Sequence, residues 1–559
     1  MKILKFYLKK SLKNVVILVL LTLFISFLSN IIPILSQMVF DEGIMKNNVF
    51  NIAVYSSILI GVYIGRGVLN HFSDYLISAT SAKIIANVKN EIIQKILKMP
   101  VSFFDKQSTA YILSRLNEVN SLSSIFTPTV FNFLSSTISM IGALMYILSK
   151  SIEIFVACVS FIPVVYIISN TSITSLNKYS REMLEATANT NNKIHSALEG
   201  IIALKELNEE EHMNQSITKE VNQLALKTIH QSKTASKSSQ MLNVMVLVVQ
   251  TLIIGIIGFF ITNKKLTIGD YVSMTQYVGM IYSPLIMLQS FKLSIQPAIA
   301  AISRINSMLS SNNTENIEES TGKKIDCIKF VKFENVSFKY DTSNESILNN
   351  ICFDLYSGDR IAFIGKNGSG KTTIAKLLLG FYKNYSGNIT INDYELKELD
   401  INSLRSKIGI VPQNIYLFEG SVKENIRIGN RVLSEEEFQK RLDRLLEYGF
   451  LDGLDLNKKI IDNGKNLSKG QIQQIAFARI FMKDVDVLIF DEATSNMDPN
   501  AKEAFQNILL DLLHDKICLF ISHTDELMYL VNKKIVLNDG KADIVYYRGA
   551  FLLERFSGT

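Results

Sequence analysis

The sequence is poor in the residues that build metal centres and disulfide frameworks. It holds four cysteines in 559 residues, scattered and without the paired spacing of a metal site. They are Cys158, Cys327, Cys352 and Cys518. This pattern argues against a cysteine-based zinc site or a disulfide scaffold, and it favours small buried thiols in a reducing compartment.

The sequence also lacks a basic tract interleaved with aromatic residues, which argues against a nucleic-acid partner. The formal net charge is a modest +6. Lysines are instead spread along the chain, as suits the cytoplasmic face of a membrane. Neither an internal repeat nor a low-complexity tract is evident.

Apolar residues are abundant and unevenly placed. They make up 48% of the chain, and the mean hydropathy is +0.20, which is high for a soluble protein. Six apolar blocks are each long enough for a helix that crosses about 30 Å of hydrocarbon. These predicted spans are 15–37, 52–72, 128–148, 152–169, 242–262 and 271–294. The sequence therefore predicts a membrane part within a lipid bilayer, followed by a soluble part.

The lysines predict the orientation of the spans. They precede the first span and populate the long segments 73–127 and 170–240, whereas the other links are short. Because cytoplasmic segments carry an excess of positive residues, we expect both termini and both long segments to be cytoplasmic. We also expect the helices that flank the long segments to continue beyond the membrane.

The soluble part contains the pattern Gly-x-x-x-x-Gly-Lys-Thr. Its residues are Gly365, Lys366, Asn367, Gly368, Ser369, Gly370, Lys371 and Thr372. Glycines allow successive backbone N–H groups to face phosphate oxygens, while Lys371 adds a positive charge and Thr372 offers a hydroxyl to Mg²⁺. The preceding apolar run predicts a buried strand, and residues 373–379 predict a helix whose N-terminus faces the phosphates.

Polar side chains follow further apolar runs of this part. Gln413 follows the run 406–411, Asp491 and Glu492 end the run 485–490, and His523 follows the run 517–521. Taken alone, Gln413 or His523 would more readily be explained as a structural residue. Their shared position at the carboxyl ends of strands, where α/β sheets bind ligands, instead favours a nucleotide site. There Asp491 can reach Mg²⁺ and Glu492 can face the attacking water.

The segment Leu467-Ser468-Lys469-Gly470-Gln471 resembles the signature motif of the ATP-binding-cassette family. The resemblance implies that Ser468, Gly470 and Gln471 contact ATP. It extends the phosphate loop to Thr373 and implies that Tyr340 stacks on adenine.

The same resemblance assigns roles to the strand-end residues. It makes Gln413 the Q-loop glutamine and Asp491 the Walker B aspartate. With Thr372, these two residues are the predicted Mg²⁺ ligands. It makes Glu492 the catalytic base, Asp498 the D-loop aspartate and His523 the switch histidine. Together these residues imply a competent ATPase.

The membrane part resembles half-transporter exporters of the six-helix type IV arrangement. The supporting segments are Phe103-Phe104-Asp105, Glu199-Gly200-Ile201-Ile202 and Leu266-Thr267-Ile268-Gly269-Asp270. The resemblance implies a dimer in which the signature of one subunit closes on the phosphate loop of the other. The sequence departs from the family pattern at Lys469, where a glycine is usual, and at Gln474, where an arginine is usual.

We therefore predict an all-α transmembrane domain followed by an α/β P-loop ATPase domain. The expected boundaries are 1–310 for the transmembrane domain, 311–327 for a linker and 328–559 for the nucleotide-binding domain. The expected function is ATP-driven export by a homodimer in a bacterial cytoplasmic membrane.

The substrate is the most open part of this prediction. Polar residues in the last two spans favour a peptide of the modified, antimicrobial type. They are Gln250, Gln276, Tyr277, Tyr282 and Gln289. Hydrogen bonding between helices explains the same residues equally well. A multidrug or lipid exporter is the alternative, and a non-transporting ATP-gated regulator is the alternative of another class.

Overall fold

The computed structural model describes residues 12–310, 322–343, 345–492, 499–512, 515–521, 530–538 and 540–546. The chain divides into two compact units. The first comprises residues 1–94 and 112–311, and the second comprises residues 95–111 and 312–559. The division is not collinear with the chain, because residues 95–111 pack with the second unit.

The first unit is built of long helices. They are α1 (Leu12–Met38), a π-helical turn (Val39–Ile44), α2 (Val49–Leu97), α4 (Thr109–Glu118), a 3-10 turn (Val119–Ile125), α5 (Pro128–Lys150), α6 (Ile152–Glu199), α7 (Ile201–Leu207), α8 (Glu210–Thr262) and α9 (Ile268–Ser310). A short helix, α3 (Val101–Lys106), lies in the second unit. Among the described residues, six helices are long and apolar enough to cross a membrane.

Helices α5, α6, α8 and α9 share a buried apolar core. Ile154, Ile253 and Val278 are completely buried in it. Burial of large side chains at these positions stabilises the helix pairing through close packing rather than through water exclusion, because lipid is as apolar as the core. The helices of this unit are therefore positioned by shape complementarity.

A polar network ties one end of α9 to α1 and α5. Asp270, which is 5% exposed, forms an ion pair of 2.8 Å with Lys150 and accepts a hydrogen bond of 2.9 Å from Gln37. Asp41 accepts hydrogen bonds from the backbone N–H of Gly269 and the hydroxyl of Thr267. Buried charges need such partners, so the network holds these helix ends together.

The second unit contains a central, mostly parallel sheet. Its strand order is β12-β11-β3-β10-β9-β6, and only the pairing of β12 with β11 is antiparallel. The strands are β3 (Arg360–Gly365), β6 (Ile408–Val411), β9 (Val487–Asp491), β10 (Ile517–Ile521), β11 (Lys533–Asn538) and β12 (Lys541–Tyr546). Every residue of β9 and β10 is buried, as expected for parallel strands covered on both faces.

Two smaller sheets and several helices complete this unit. An antiparallel sheet has the order β2-β1-β4-β5, and β7 pairs with β8. These strands are β1 (Phe330–Phe338), β2 (Leu348–Tyr356), β4 (Ser386–Ile391), β5 (Tyr394–Glu395), β7 (Gly420–Ser421) and β8 (Lys459–Ile460). The helices are α10 (Lys371–Leu378), α11 (Ile401–Ser406), α12 (Val422–Arg427), α13 (Glu435–Glu447), α14 (Lys469–Phe481) and α15 (Pro499–Leu512).

The register of the central sheet places several polar strand ends at one edge. Ile521 pairs with Asp491, Val411 pairs with Phe490, and Leu537 pairs with Gly365. The carboxyl ends of β3, β6, β9, β10 and β11 therefore meet at the same edge, where an open α/β sheet binds its ligand.

Candidate nucleotide-binding site

The phosphate loop connects β3 to α10 and requires glycine at two positions. A Cβ atom on Gly365 would lie 2.3 Å from the carbonyl oxygen of Leu537. Gly370 has φ +100°, and a Cβ atom there would lie 2.5 Å from a methyl carbon of Leu348. Any larger residue would displace the loop from the adjoining strands, so these glycines fix its path.

The loop holds its lysine beside the start of α10. The Lys371 amine donates hydrogen bonds of 2.7 and 3.0 Å to the carbonyl oxygens of Gly365 and Lys366. Lys371 is 7% exposed, and burial lowers its pKa. The hydroxyl of Ser369 is buried and has no hydrogen-bond partner within the part of the chain that the structure describes. A charged amine, an uncommitted hydroxyl and a helix N-terminus together suit an anionic phosphate.

Two of the three predicted Mg²⁺ ligands contact each other. The hydroxyl of Thr372 donates a hydrogen bond of 2.9 Å to the Asp491 carboxylate. The amide of Gln413 instead donates a hydrogen bond of 2.8 Å to the Glu492 carboxylate. Hydroxyl, carboxylate and amide oxygens are the hard donors that Mg²⁺ prefers, so this set fits the ion.

Glu492 has an unusual backbone. Its φ is +55°, a conformation that costs a non-glycine residue about 1–3 kcal/mol. Its N–H donates a hydrogen bond of 2.9 Å to Ile521, and its carbonyl accepts one of 3.3 Å from Gln473. These contacts hold the carboxylate just beyond the end of β9, beside Gln413.

Tyr340 lies next to the phosphate loop. Its hydroxyl is 3.1 Å from that of Thr373, and the Lys376 amine lies 5.5 Å from its ring centre. Its ring packs against Phe338 and Tyr382 at centroid distances of 4.9 and 5.3 Å. The half-buried ring is thus held in place at the position that the resemblance assigns to adenine stacking.

The signature residues form the N-terminus of α14. The Ser468 hydroxyl accepts a hydrogen bond of 3.1 Å from the Gln471 backbone, and the Gln471 side chain accepts one of 3.1 Å from the Ser468 backbone. This capping box satisfies two free N–H groups at the helix start. Lys469 is exposed, and Gly470 is half-buried. Asp498 and His523 lie outside the described residues.

Comparisons with known proteins match both parts of the chain. The family described as "ABC transporter transmembrane region" matches residues 15–285, and the family described as "ABC transporter" matches residues 348–495. The chain belongs to the ABC transporters. The fusion of both parts in one chain makes it a half-transporter exporter, and its nucleotide-binding domain makes it an ATPase.

Individual relatives of this ABC transporter carry different names. The chain is 26% identical to an ATP-dependent lipid A-core flippase of Pseudoalteromonas translucida (strain TAC 125) over 89% of its own length and 88% of the relative's. It is 27% identical to the lactococcin-G-processing and transport ATP-binding protein LagD of Lactococcus lactis subsp. lactis, over 89% and 72% of the two lengths. A bacterial Atm1-family ABC exporter with ATP bound has the same fold, with a TM-score of 0.84 over 95% and 94% of the chains at 19% identity.

These findings confirm the predicted family, fold class and ATPase activity of the transporter. They also establish a multi-pass membrane protein that binds ATP. The roles of the individual site residues stay predictions.

The structure explains one departure from the family pattern. Gln474 is 3% exposed, and its amide donates a hydrogen bond of 2.7 Å to the Phe450 carbonyl. A neutral donor satisfies this carbonyl without burying a charge, which would require a counter-ion. Its neighbour Gln473 contacts the Glu492 backbone, a contact that sequence reasoning missed because nothing along the chain links residues 473 and 492.

Sequence reasoning also missed a contact between α3 and the region around Tyr340. The Asp105 carboxylate accepts a hydrogen bond from the Tyr382 hydroxyl, and Lys106 forms an ion pair of 2.8 Å with Asp341. Tyr382 is 3% exposed, and burial together with Asp105 raises its pKa. The motif Phe103-Phe104-Asp105 signalled a functional segment, but only the fold shows which residues it contacts.

We expect Tyr382→Phe to lower the melting temperature of the purified transporter. The substitution leaves the buried ring in place but removes the partner of Asp105, and a hydrogen bond to a charged group contributes about 1.5–3 kcal/mol. Differential scanning fluorimetry on the full chain measures the shift. Tyr356→Phe is the matched control, because Tyr356 is 52% exposed. A double variant with Asp105→Asn should shift the melting temperature by less than the sum of the single shifts; strict additivity would contradict the contact.

Proposed function

We propose that this ABC exporter is a homodimer that uses ATP hydrolysis to move an amphipathic peptide across a bacterial cytoplasmic membrane by alternating access. The observation that carries the proposal is the arrangement of Thr372, Asp491, Gln413 and Glu492 at one sheet edge, within a chain that also supplies the membrane helices. In this proposal the domain boundaries are those expected from the sequence, and both termini are cytoplasmic.

The proposed ATPase cycle assigns a task to each group. Lys371 and the loop N–H groups bind the phosphates, and Thr372, Gln413 and Asp491 would hold Mg²⁺. Bound Mg²⁺ would supply charge neutralisation on the phosphate oxygens. Glu492 orients and deprotonates the attacking water. Tyr340 stacks on adenine, and Asp498 and His523 act near the γ-phosphate.

The peptide substrate is supported by relatives and by one exposed side chain. LagD and a second relative, the transport/processing ATP-binding protein ComA of Streptococcus pneumoniae (strain ATCC BAA-255 / R6), carry names that describe processing and transport, of lactococcin G in the case of LagD. Gln276 is exposed on α9. A polar side chain within a predicted membrane span faces a polar cavity or a second subunit more readily than lipid.

Two residues that motivated the peptide hypothesis support the alternative explanation instead. The Tyr277 hydroxyl donates a hydrogen bond of 2.5 Å to the Asn30 carbonyl, and the Tyr282 hydroxyl donates one of 2.8 Å to the Cys158 carbonyl. Both rings are at most 1% exposed. These tyrosines join helices. The proposed peptide site therefore includes Gln276 and excludes Tyr277 and Tyr282.

Uptake into inside-out vesicles tests the proposal. A labelled amphipathic peptide should accumulate only with hydrolysable ATP, and it should raise the ATPase rate. Accumulation of a labelled lipid or a small amphipathic drug, with none of the peptide, would favour the lipid flippase suggested by the flippase relative or a multidrug exporter. ATP hydrolysis without accumulation of any labelled compound would favour a non-transporting regulator.

We expect two chains to cross-link between the phosphate loop and the signature when nucleotide is bound. In a background without the four native cysteines, Ser369→Cys on one chain and Ser468→Cys on the other should react with a short bifunctional reagent. The expected product is an interchain dimer that forms with ATP and not without it, seen by denaturing electrophoresis.

The matched control replaces Ser468→Cys with Ser434→Cys. The hydroxyls of Ser434 and Ser468 each accept a hydrogen bond from the backbone N–H three residues further on, so both variants lose that capping bond. Ser434 lies outside the signature, and we expect no interchain product from it. Equal cross-linking by both pairs, or only intrachain products, would contradict the head-to-tail dimer.

A further inference from the structure

The second unit contains a cavity at the amino ends of the central strands, whereas the nucleotide site lies at their carboxyl ends. The cavity measures about 470 Å³ and is lined by six cationic side chains and three carboxylates. The cations are Lys407, Lys440, Arg441, Arg444, Lys483 and Lys516. We call this the basic cavity. Its lining carries an excess of three positive charges when lysine and arginine are protonated.

The fold itself brings these charges together. Lys407, Asp486 and Lys516 immediately precede β6, β9 and β10, whose first residues are paired in register. The amino ends of three adjacent parallel strands therefore supply the floor of the cavity. On α13, Arg441 and Arg444 are three residues apart, a spacing that places both on one helix face.

The carboxylates around the cavity pair with its two arginines: Arg444 forms an ion pair of 3.2 Å with Asp511, which does not line the cavity. Asp484 forms an ion pair of 2.8 Å with Arg441. Asp486 accepts a hydrogen bond of 2.9 Å from the backbone N–H of Ile328. The remaining carboxylate, Glu437, is exposed on α13. Neither of the two engaged carboxylates is bonded to a lysine of the lining.

Two half-buried lysines are the decisive residues. Within the part of the chain that the structure describes, Lys407 and Lys483 form no side-chain hydrogen bond or ion pair, although neither is fully exposed. Burial lowers the pKa of Lys483. Removing the Lys483 ammonium group from water without a counter-ion is unfavourable, and a bound anion would relieve that cost.

We propose that the basic cavity is a binding site for a small, multivalent phosphate-bearing anion, with Lys407 and Lys483 as its principal ligands. Phosphate fits better than a single carboxylate, because several oxygens can contact ammonium groups from different walls at once. The cavity is large enough for a ligand that carries a di- or triphosphate group, and it lies at the sheet edge away from the phosphate loop. The site is separate from the proposed export function and does not depend on it.

Pyrophosphate binding to the full-length transporter tests this site. The titration uses a Lys371→Ala background, which weakens the phosphate loop and so isolates the basic cavity. Isothermal titration calorimetry should show one saturable site per chain. Adding Lys483→Met should raise the Kd at least tenfold, and adding Lys407→Met should do so independently. The melting temperature shows whether each variant is folded. If Lys483→Met fails to fold, Lys407→Met still tests the site.

Lys541→Met is the control for general electrostatics. Lys541 is exposed at the start of β12 and does not line the cavity, so its removal should change the Kd by less than twofold. The absence of saturable binding, or equal weakening by Lys541→Met, would overturn the proposal. Displacement of pyrophosphate by hexa-aspartate at equal or lower concentration would overturn it as well, by indicating an acidic protein segment as the occupant.

Discussion

Glu492→Gln should stop ATP turnover while ATP binding persists. Glutamine keeps the size of the side chain and offers an oxygen beside Gln413, but it cannot deprotonate water. Loss of a general base lowers turnover about 10²- to 10⁴-fold. Lys371, Thr372 and the loop N–H groups are unchanged, so the nucleotide affinity should stay within a few-fold of the parent. Steady-state phosphate release and binding of a fluorescent ATP analogue measure the two quantities.

The strained backbone of Glu492 makes this substitution more informative than Glu492→Gly. Glycine would relieve the positive φ and change local stability as well as chemistry. Glu503→Gln is the matched control, since Glu503 is exposed on α15. A rate for Glu492→Gln within a few-fold of that control would remove Glu492 from the role of base.

Gly470→Asp should also abolish hydrolysis, without unfolding α14. An aspartate in the first turn of a helix interacts favourably with the helix dipole, and it replaces a glycine of poor helix propensity. The substitution should therefore leave the melting temperature unchanged or higher. In the proposed dimer, however, it places a negative charge against the partner's ATP phosphates. An ATPase rate near that of the parent would contradict the proposed role of the signature.

Lys469→Gly is the companion measurement. Lys469 is exposed beside Ser468, whose hydroxyl is engaged in capping α14. We expect the KM for ATP to stay nearly constant, because a residue between two inward-facing neighbours tends to point away from the partner. A tenfold rise in KM would correspond to about 1.4 kcal/mol of lost contact and would make Lys469 a ligand of ATP.

Features that depend on neighbouring residues were predictable. The phosphate loop followed from the glycine spacing between an apolar run and a helix, and the structure shows the close approach of Leu537 that excludes a side chain at Gly365. The membrane helices were predictable for a similar reason, since the thickness of a bilayer selects long apolar blocks. In both cases the signal is contained in one continuous stretch of chain.

Partners far apart along the chain were not predictable. From the sequence, substrate binding and links between helices explain Tyr277 and Tyr282 equally well. Only the packing of the helices showed that their hydroxyls donate hydrogen bonds to backbone carbonyls. Asp105 and Tyr382 are 277 positions apart. Nothing in the local sequence of either residue specifies the other.

By itself, the sequence determined the family, the order of a membrane part and an ATPase part, and the chemistry of the phosphate loop, because each rests on local spacing or composition. Only the tertiary structure decided that Thr372 meets Asp491 across 119 positions, that α3 packs with the second unit, and that lysines preceding separate strands share one cavity. The physical reason is that strand order and register, set by burial of the whole sheet, bring these distant groups into contact.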